Sequence, residues 1–177
     1  MLQVKYEKKT FEFKRPSGTS RGVLTEKHAW FLLLSDTGNP AVIGTGECSV
    51  IPGLSPDFTS VEAYEKQLAE FCALVNSEKM EDIETLESRL QDWEAFPSMV
   101  FGFETAMLDL KNGGKQQFYD TSFTRGETKI PINGLIWMGS EEFMQDQIEE
   151  KLAEGYSCIK MKIGAIEFEK EFAILES

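Results

Sequence analysis

Histidine occurs once in the 177 residues, at His28. A single imidazole excludes an H-E-x-x-H zinc site, a multi-histidine metal cage and any nucleophile and base pair that does not use that ring. Within the strand-like stretch Glu26 to Leu34, His28 reads as an ordinary structural residue. Cysteine is scarce as well. Cys48, Cys72 and Cys158 are odd in number, far apart and without a C-x-x-C pair, which argues against a disulfide framework or a zinc site and for a cytoplasmic protein. Long apolar runs are missing: the longest, Ala29 to Leu34, has six residues, and Lys5, Glu7, Lys8 and Lys9 stand where a signal core would lie. The sequence therefore predicts neither a membrane span nor a secretory signal. Positive charge is in deficit, with 18 Lys and Arg against 30 Asp and Glu and a net charge of −12. Neither nucleic acid nor an anionic membrane is an expected partner.

What remains is the make-up of a folded domain, 41% hydrophobic and 27% charged. The length suits one ordinary domain or two small ones and is too short for a complete eightfold α/β barrel of typical size. The first fifty residues predict a three-stranded antiparallel meander over Leu2 to Lys14, Val23 to Ser35 and Ala41 to Val50. Asp36-Thr37-Gly38-Asn39-Pro40 forms a turn, and Arg15 to Gly22 and Ile51 to Asp57 are breaker-rich loops. Helical period follows over 61 to 110. Val61, Tyr64, Leu68, Phe71 and Val75 stand behind a capping box Thr59-x-x-Glu62; Met80, Ile83, Leu86, Leu90 and Trp93 repeat the pattern; Phe96, Val100, Phe103, Met107 and Leu110 do so again. Their spacing makes the aromatic and Met positions core residues.

Near Lys129 the texture changes. The apolar run Ile130 to Met138, a helix opened by Gly139-Ser140 and closed by Gly155, a strand at Ser157 to Gly164 and a helix from Ala165 onward give β-α-β-α, the grammar of a parallel sheet. Parallel strands are expected around Ile132 to Met138 and Cys158 to Ile163. The chain thus divides into an α+β part, 1–128, and two β/α units, 129–177, the second strand having an open edge through which the protein could associate.

Strand alternation within Cys158-Ile159-Lys160-Met161-Lys162-Ile163-Gly164 puts Lys160 and Lys162 on one face and Ile159, Met161 and Ile163 on the other. Helices cover the apolar face. In a parallel barrel both lysines then point inward; in an isolated amphipathic strand they would simply meet solvent. Two lysines near a strand's C-terminal end suit proton abstraction beside a carboxylate. Like-charge repulsion draws one ammonium towards the range of a base, and the other steadies the enediolate, a task a divalent metal normally shares. Gly44-x-Gly46-x-x-Ser49 has the outline of a dinucleotide fingerprint, but Pro52-Gly53 follows where its helix should start.

The order meander, helices, Ile130-Pro131-Ile132-Asn133-Gly134-Leu135 and Lys160-x-Lys162 resembles the enolase superfamily, in its muconate-lactonising subgroup. With Gly44-x-Gly46-Glu47, Ile51-Pro52-Gly53-Leu54-Ser55 and Ser20-Arg21-Gly22 it is most similar to the o-succinylbenzoate synthases of the Bacteroidetes type. The resemblance implies an N-terminal capping domain followed by the truncated start of a TIM-type barrel. The cap loops, 17–24 and 52–57, would close over the barrel mouth. It implies Lys162 as the base, Lys160 as the electrostatic helper and Arg21, Leu54 and Trp137 as substrate-binding residues. The substrate would be a small carboxylate, 2-succinyl-6-hydroxy-2,4-cyclohexadiene-1-carboxylate, dehydrated to o-succinylbenzoate in menaquinone biosynthesis with Mg²⁺ as cofactor. The family's metal ligands lie on barrel strands three to five, which this sequence lacks, so no metal ligand is assigned and the chain alone is expected to be inactive. Muconate cycloisomerases, dipeptide epimerases and N-succinylamino acid racemases share the Lys-x-Lys strand. A non-catalytic binding module derived from the cap is the alternative outside enzymes.

Overall fold

A computed structural model describes residues 1–19, 22–77, 93–164 and 166–176. They fall into two units, residues 1–12 with 26–124 and residues 13–25 with 125–177.

The strands β1 (Leu2–Thr19), β2 (Gly22–Asp36) and β3 (Asn39–Ser49) form one sheet in that spatial order, and the first unit is built on β3 with the parts of β1 and β2 outside residues 13–25. β2 and β3 are antiparallel, with Trp30 opposite Cys48 and Leu32 opposite Gly46. Alternate β2 side chains, Trp30, Leu32 and Leu34, are fully buried. Against them pack helices α1 (Val61–Ser77), through Tyr64, Leu68, Phe71 and Val75, and α2 (Pro97–Lys111), through Met99, Phe103 and Ala106. Each such large side chain contributes roughly 1.5–3 kcal/mol of transfer free energy. The helix expected over Met80 to Leu90 lies outside the described residues, while Trp93 meets Phe71 edge-on at 5.0 Å.

Two local expectations are corrected here. Arg15 to Thr19 is strand and not loop: β1 runs on to Thr19 and β2 begins at Gly22, with Ser20 and Arg21 outside the described residues. Pro16, which has no N–H to donate, is tolerated because β1 is an edge of the sheet. The cap of α1 is also one residue later than expected. Ser60 Oγ accepts from Ala63 N at 3.1 Å, leaving Thr59 outside the helix and Glu62 away from the capping-box position.

Gly44 and Gly46 have a packing role. A Cβ on Gly44 would stand 2.1 Å from the Ala106 carbonyl oxygen, and one on Gly46 would stand 1.7 Å from that of Gly102, so β3 and α2 touch backbone to backbone. Two buried carboxylates fix the ends of this contact. Asp109 accepts from Thr45 N at 2.9 Å and Gln116 N at 2.6 Å. Asp57 accepts from Ser98 N at 2.9 Å and Ser98 Oγ at 2.5 Å, capping a helix whose own N-cap, Phe96, has no side-chain acceptor. Ser98 Oγ also bonds Tyr64 OH at 2.6 Å.

The second unit holds β4 (Gly134–Ile136) and β5 (Ile159–Met161), which are parallel, with α3 (Glu141–Ala153) between them and α4 (Phe168–Glu176) after them. Ser140 accepts from Phe143 N at 3.3 Å and opens α3; Gly155, at φ 83°, ends it. Ile136, Met144 and Ile174 form the core, with Ile148, Ile159, Met161 and Ile166 around them. The strands are shorter than expected. Ile132 is exposed and precedes β4, and Ile163 is exposed because the chain turns away at Gly164, φ 104°. Near the tip of the β1–β2 hairpin, a Cβ on Gly18 would lie 3.9 Å from the Met138 carbonyl oxygen. Among the described residues β5 is paired with β4 alone, and no helix is long and apolar enough to cross a membrane.

Candidate active site

The parallel register sets the site. Leu135 lies beside Lys160 and Ile136 beside Met161, and Lys162 N donates to the Ile136 carbonyl at 3.2 Å. Ile159 and Met161 pack on the core between sheet and helices, so alternation turns Lys160 and Lys162 to the other side. Lys160 is exposed and Lys162 half-buried. Trp137, the residue after β4, comes next to Lys162 in this register, and the Lys162 Nζ stands 3.6 Å from the centre of its ring. That is the geometry of an ammonium on an indole face.

Side chains from both helices hold the strand ends. Gln147 of α3 accepts from Trp137 N at 2.9 Å through Oε1 and donates through Nε2 to the Trp137 carbonyl at 3.0 Å, and to that of Phe143 at 3.0 Å. Glu171 of α4 is buried and accepts from Gly164 N at 2.6 Å, two residues past Lys162. Sequence reasoning named neither Gln147 nor Glu171. The only signal for Gln147 is an uncharged polar residue next to Ile148 and three places from Met144, on the core side of the helix.

Of the five expected site residues, the second unit brings together Lys160, Lys162 and Trp137. Arg21 lies outside the described residues. Leu54 belongs to the first unit, exposed on a turn in which the Ile51 carbonyl accepts from Leu54 N and Ser55 N while Ser55 Oγ accepts from Ile51 N. Among the described residues no three His, Cys, Asp or Glu side chains are grouped to hold a metal ion. The donor set here does not fit Mg²⁺.

No family model matches the sequence. An o-succinylbenzoate synthase from Desulfotalea psychrophila is 43% identical over 98% of this chain and 52% of its own. The crystal structure of MenC from the same organism superposes with a TM-score of 0.75 at 37% identity, covering 99% of this chain and 52% of that one. An enolase family member from Agrobacterium tumefaciens with homology to dipeptide epimerases gives a TM-score of 0.72 at 16% identity, over 99% of this chain and 50% of that one, a likeness of fold alone. This chain therefore spans about half the length of the relatives it matches. From its meander and helices to its Lys-x-Lys strand, the chain is similar in sequence and structure, along nearly all its length, to about half of an o-succinylbenzoate synthase.

Proposed function

We propose that the protein containing this chain is an o-succinylbenzoate synthase, dehydrating 2-succinyl-6-hydroxy-2,4-cyclohexadiene-1-carboxylate. The observation that carries the reading is the Lys160-x-Lys162 pair, on the side of β5 turned away from the helices, in a chain 43% identical to such a synthase along nearly all its length. Residues 1–128 are then the capping domain and residues 129–177 the first two β/α units of the barrel. Arg21 and Leu54 belong to the cap loops and contribute to substrate binding. Further barrel strands or another chain cover the open edge of β5, and the protein works in the cytoplasm.

In this reading Lys162 takes the proton α to the ring carboxylate. Lys160 stays charged and offsets the negative charge that develops on that carboxylate. The electron pair left by the proton enters the ring, the hydroxyl leaves, and hydroxide and proton together make the one water released as the ring becomes aromatic. An o-succinylbenzoate synthase from Thermosynechococcus elongatus, with a TM-score of 0.66 at 23% identity over 98% of this chain and 47% of that one, was crystallised with Mg in its active site. We assign Mg²⁺ to the intact protein, on donors outside the described residues.

The test is single-turnover conversion of the cyclohexadiene substrate by the full-length protein, followed by the absorbance change on aromatisation. Lys162→Ala should abolish dehydration with fold and Mg²⁺ binding intact, and Lys160→Ala should cost roughly a hundredfold or more, as removal of one transition-state donor does. Wild-type turnover in Lys162→Ala would remove the base from this assignment. Epimerisation of dipeptides without dehydration would replace the substrate class.

A further inference from the structure

The reading above leaves Trp137 with no part in the chemistry, yet three observations converge on it. Its ring face is occupied by the Lys162 ammonium at 3.6 Å. Its main chain is gripped from both sides by the Gln147 amide, N–H to Oε1 and carbonyl to Nε2, an arrangement that fixes where the ring starts. Its Nε1 is buried without a hydrogen-bond partner among the described residues. A buried unpaired N–H opposes stability, and a phenylalanine would fill space without it. What the indole adds is the strongest face for a cation among the aromatic side chains.

We propose that Trp137 is a positioning residue for Lys162, and that Gln147 positions Trp137 in turn. This rests on the reading of Lys162 as the base. A lysine side chain has four rotatable bonds. Laid across the ring of a residue whose main chain Gln147 holds, it keeps its Nζ within a small volume at the C-terminal end of β5, where a bound carboxylate's α-carbon would have to lie. Glu171 does the same for the main chain beyond, by holding the Gly164 amide. The contact from α3 thus holds the main chain at Trp137, and the contact from α4 holds it two residues past Lys162.

The experiment uses the full-length protein and four variants, Trp137→Leu, Trp137→Phe, Gln147→Leu and Lys162→Ala, read by kcat and KM for dehydration and by the NMR shifts of the Lys162 ε-methylene protons. Trp137→Leu and Gln147→Leu should lower kcat by about ten- to a hundredfold, the scale of a misplaced catalytic group, with KM nearly unchanged. Trp137→Phe should recover most of the loss. The ε-methylene resonances should lie upfield in the wild type through the ring current, return to ordinary values in Trp137→Leu and stay partly upfield in Trp137→Phe. Full turnover in Trp137→Leu beside an inactive Lys162→Ala overturns the positioning role and leaves the base in place. A raised KM at unchanged kcat overturns it too, making Trp137 a substrate contact. Full turnover in Lys162→Ala overturns the assignment of the base and this role with it.

Discussion

Replacing Gly46 with alanine adds one methyl group at the point where β3 and α2 meet. The new Cβ would lie 1.7 Å from the Gly102 carbonyl oxygen and 2.8 Å from the Ala106 nitrogen, both main-chain atoms of a helix that cannot swing aside as a side chain can. Ordinary contact begins near 3.4 Å, so helix and strand must part by up to 3.4 − 1.7 = 1.7 Å along that line. The face that would open carries Met99, Phe103 and Ala106, all fully buried. Extra methylenes in a packed core cost about 1–3 kcal/mol when side chains can adjust. A backbone obstacle belongs at the top of that range, about 3 kcal/mol, or a fall in melting temperature of roughly 6–12 °C for a chain of this size. Gly38→Ala is the matched control: its Cβ would meet Asp36 Oδ1 at 3.6 Å, an ordinary contact. Thermal unfolding followed by tryptophan fluorescence reads both. A Gly46→Ala protein melting within a degree of Gly38→Ala would refute the account of this contact.

Asp57→Ala should destabilise the first unit by about 1–3 kcal/mol in urea unfolding, since Ser98 N and Oγ lose their acceptor at the start of α2. Asp57→Asn, which keeps one acceptor, should recover part of it, and equal stability of Asp57→Ala and wild type would contradict the cap. Burial pushes the Cys48 thiol up to about 12 and the Cys72 thiol up to about 11, and also raises the Tyr64 phenol. These groups are neutral in the folded state and ionise more easily once unfolded. Their contribution is complete below about pH 9 and is lost as pH rises towards 11 to 12. Urea midpoints should hold steady through neutrality and fall above pH 9; a midpoint independent of pH across that window would refute it.

The sequence yields those features that repeat locally. Tyr64, Leu68, Phe71 and Val75 announce a helix because their spacing is helical, and Lys160 and Lys162 announce a shared face because a strand alternates. Thr59 and Ser60 offer equal hydroxyls, and only the bond to Ala63 N separates them. Pro16 and Gly18 read as a loop because composition does not show which strand will be an edge. Gly44-x-Gly46 has only the outline of a dinucleotide fingerprint, which Pro52-Gly53 argues against, while its actual partner, Gly102, lies 56 residues further on from Gly46 and is brought in by tertiary packing. Gln147 illustrates the same limit at the candidate site. A glutamine on a helix is unremarked until the backbone it grips, Trp137, is seen across ten residues of chain.

Residues 13–25 belong to the same unit as residues 125–177, so that unit is discontinuous along the chain. During synthesis at about 5–20 residues per second, the hairpin arm leaves the ribosome roughly 5–20 s before the residues it is grouped with. A hairpin forms in microseconds. The arm therefore waits on the later segment, and the second unit cannot be completed until residues 125–177 have been made.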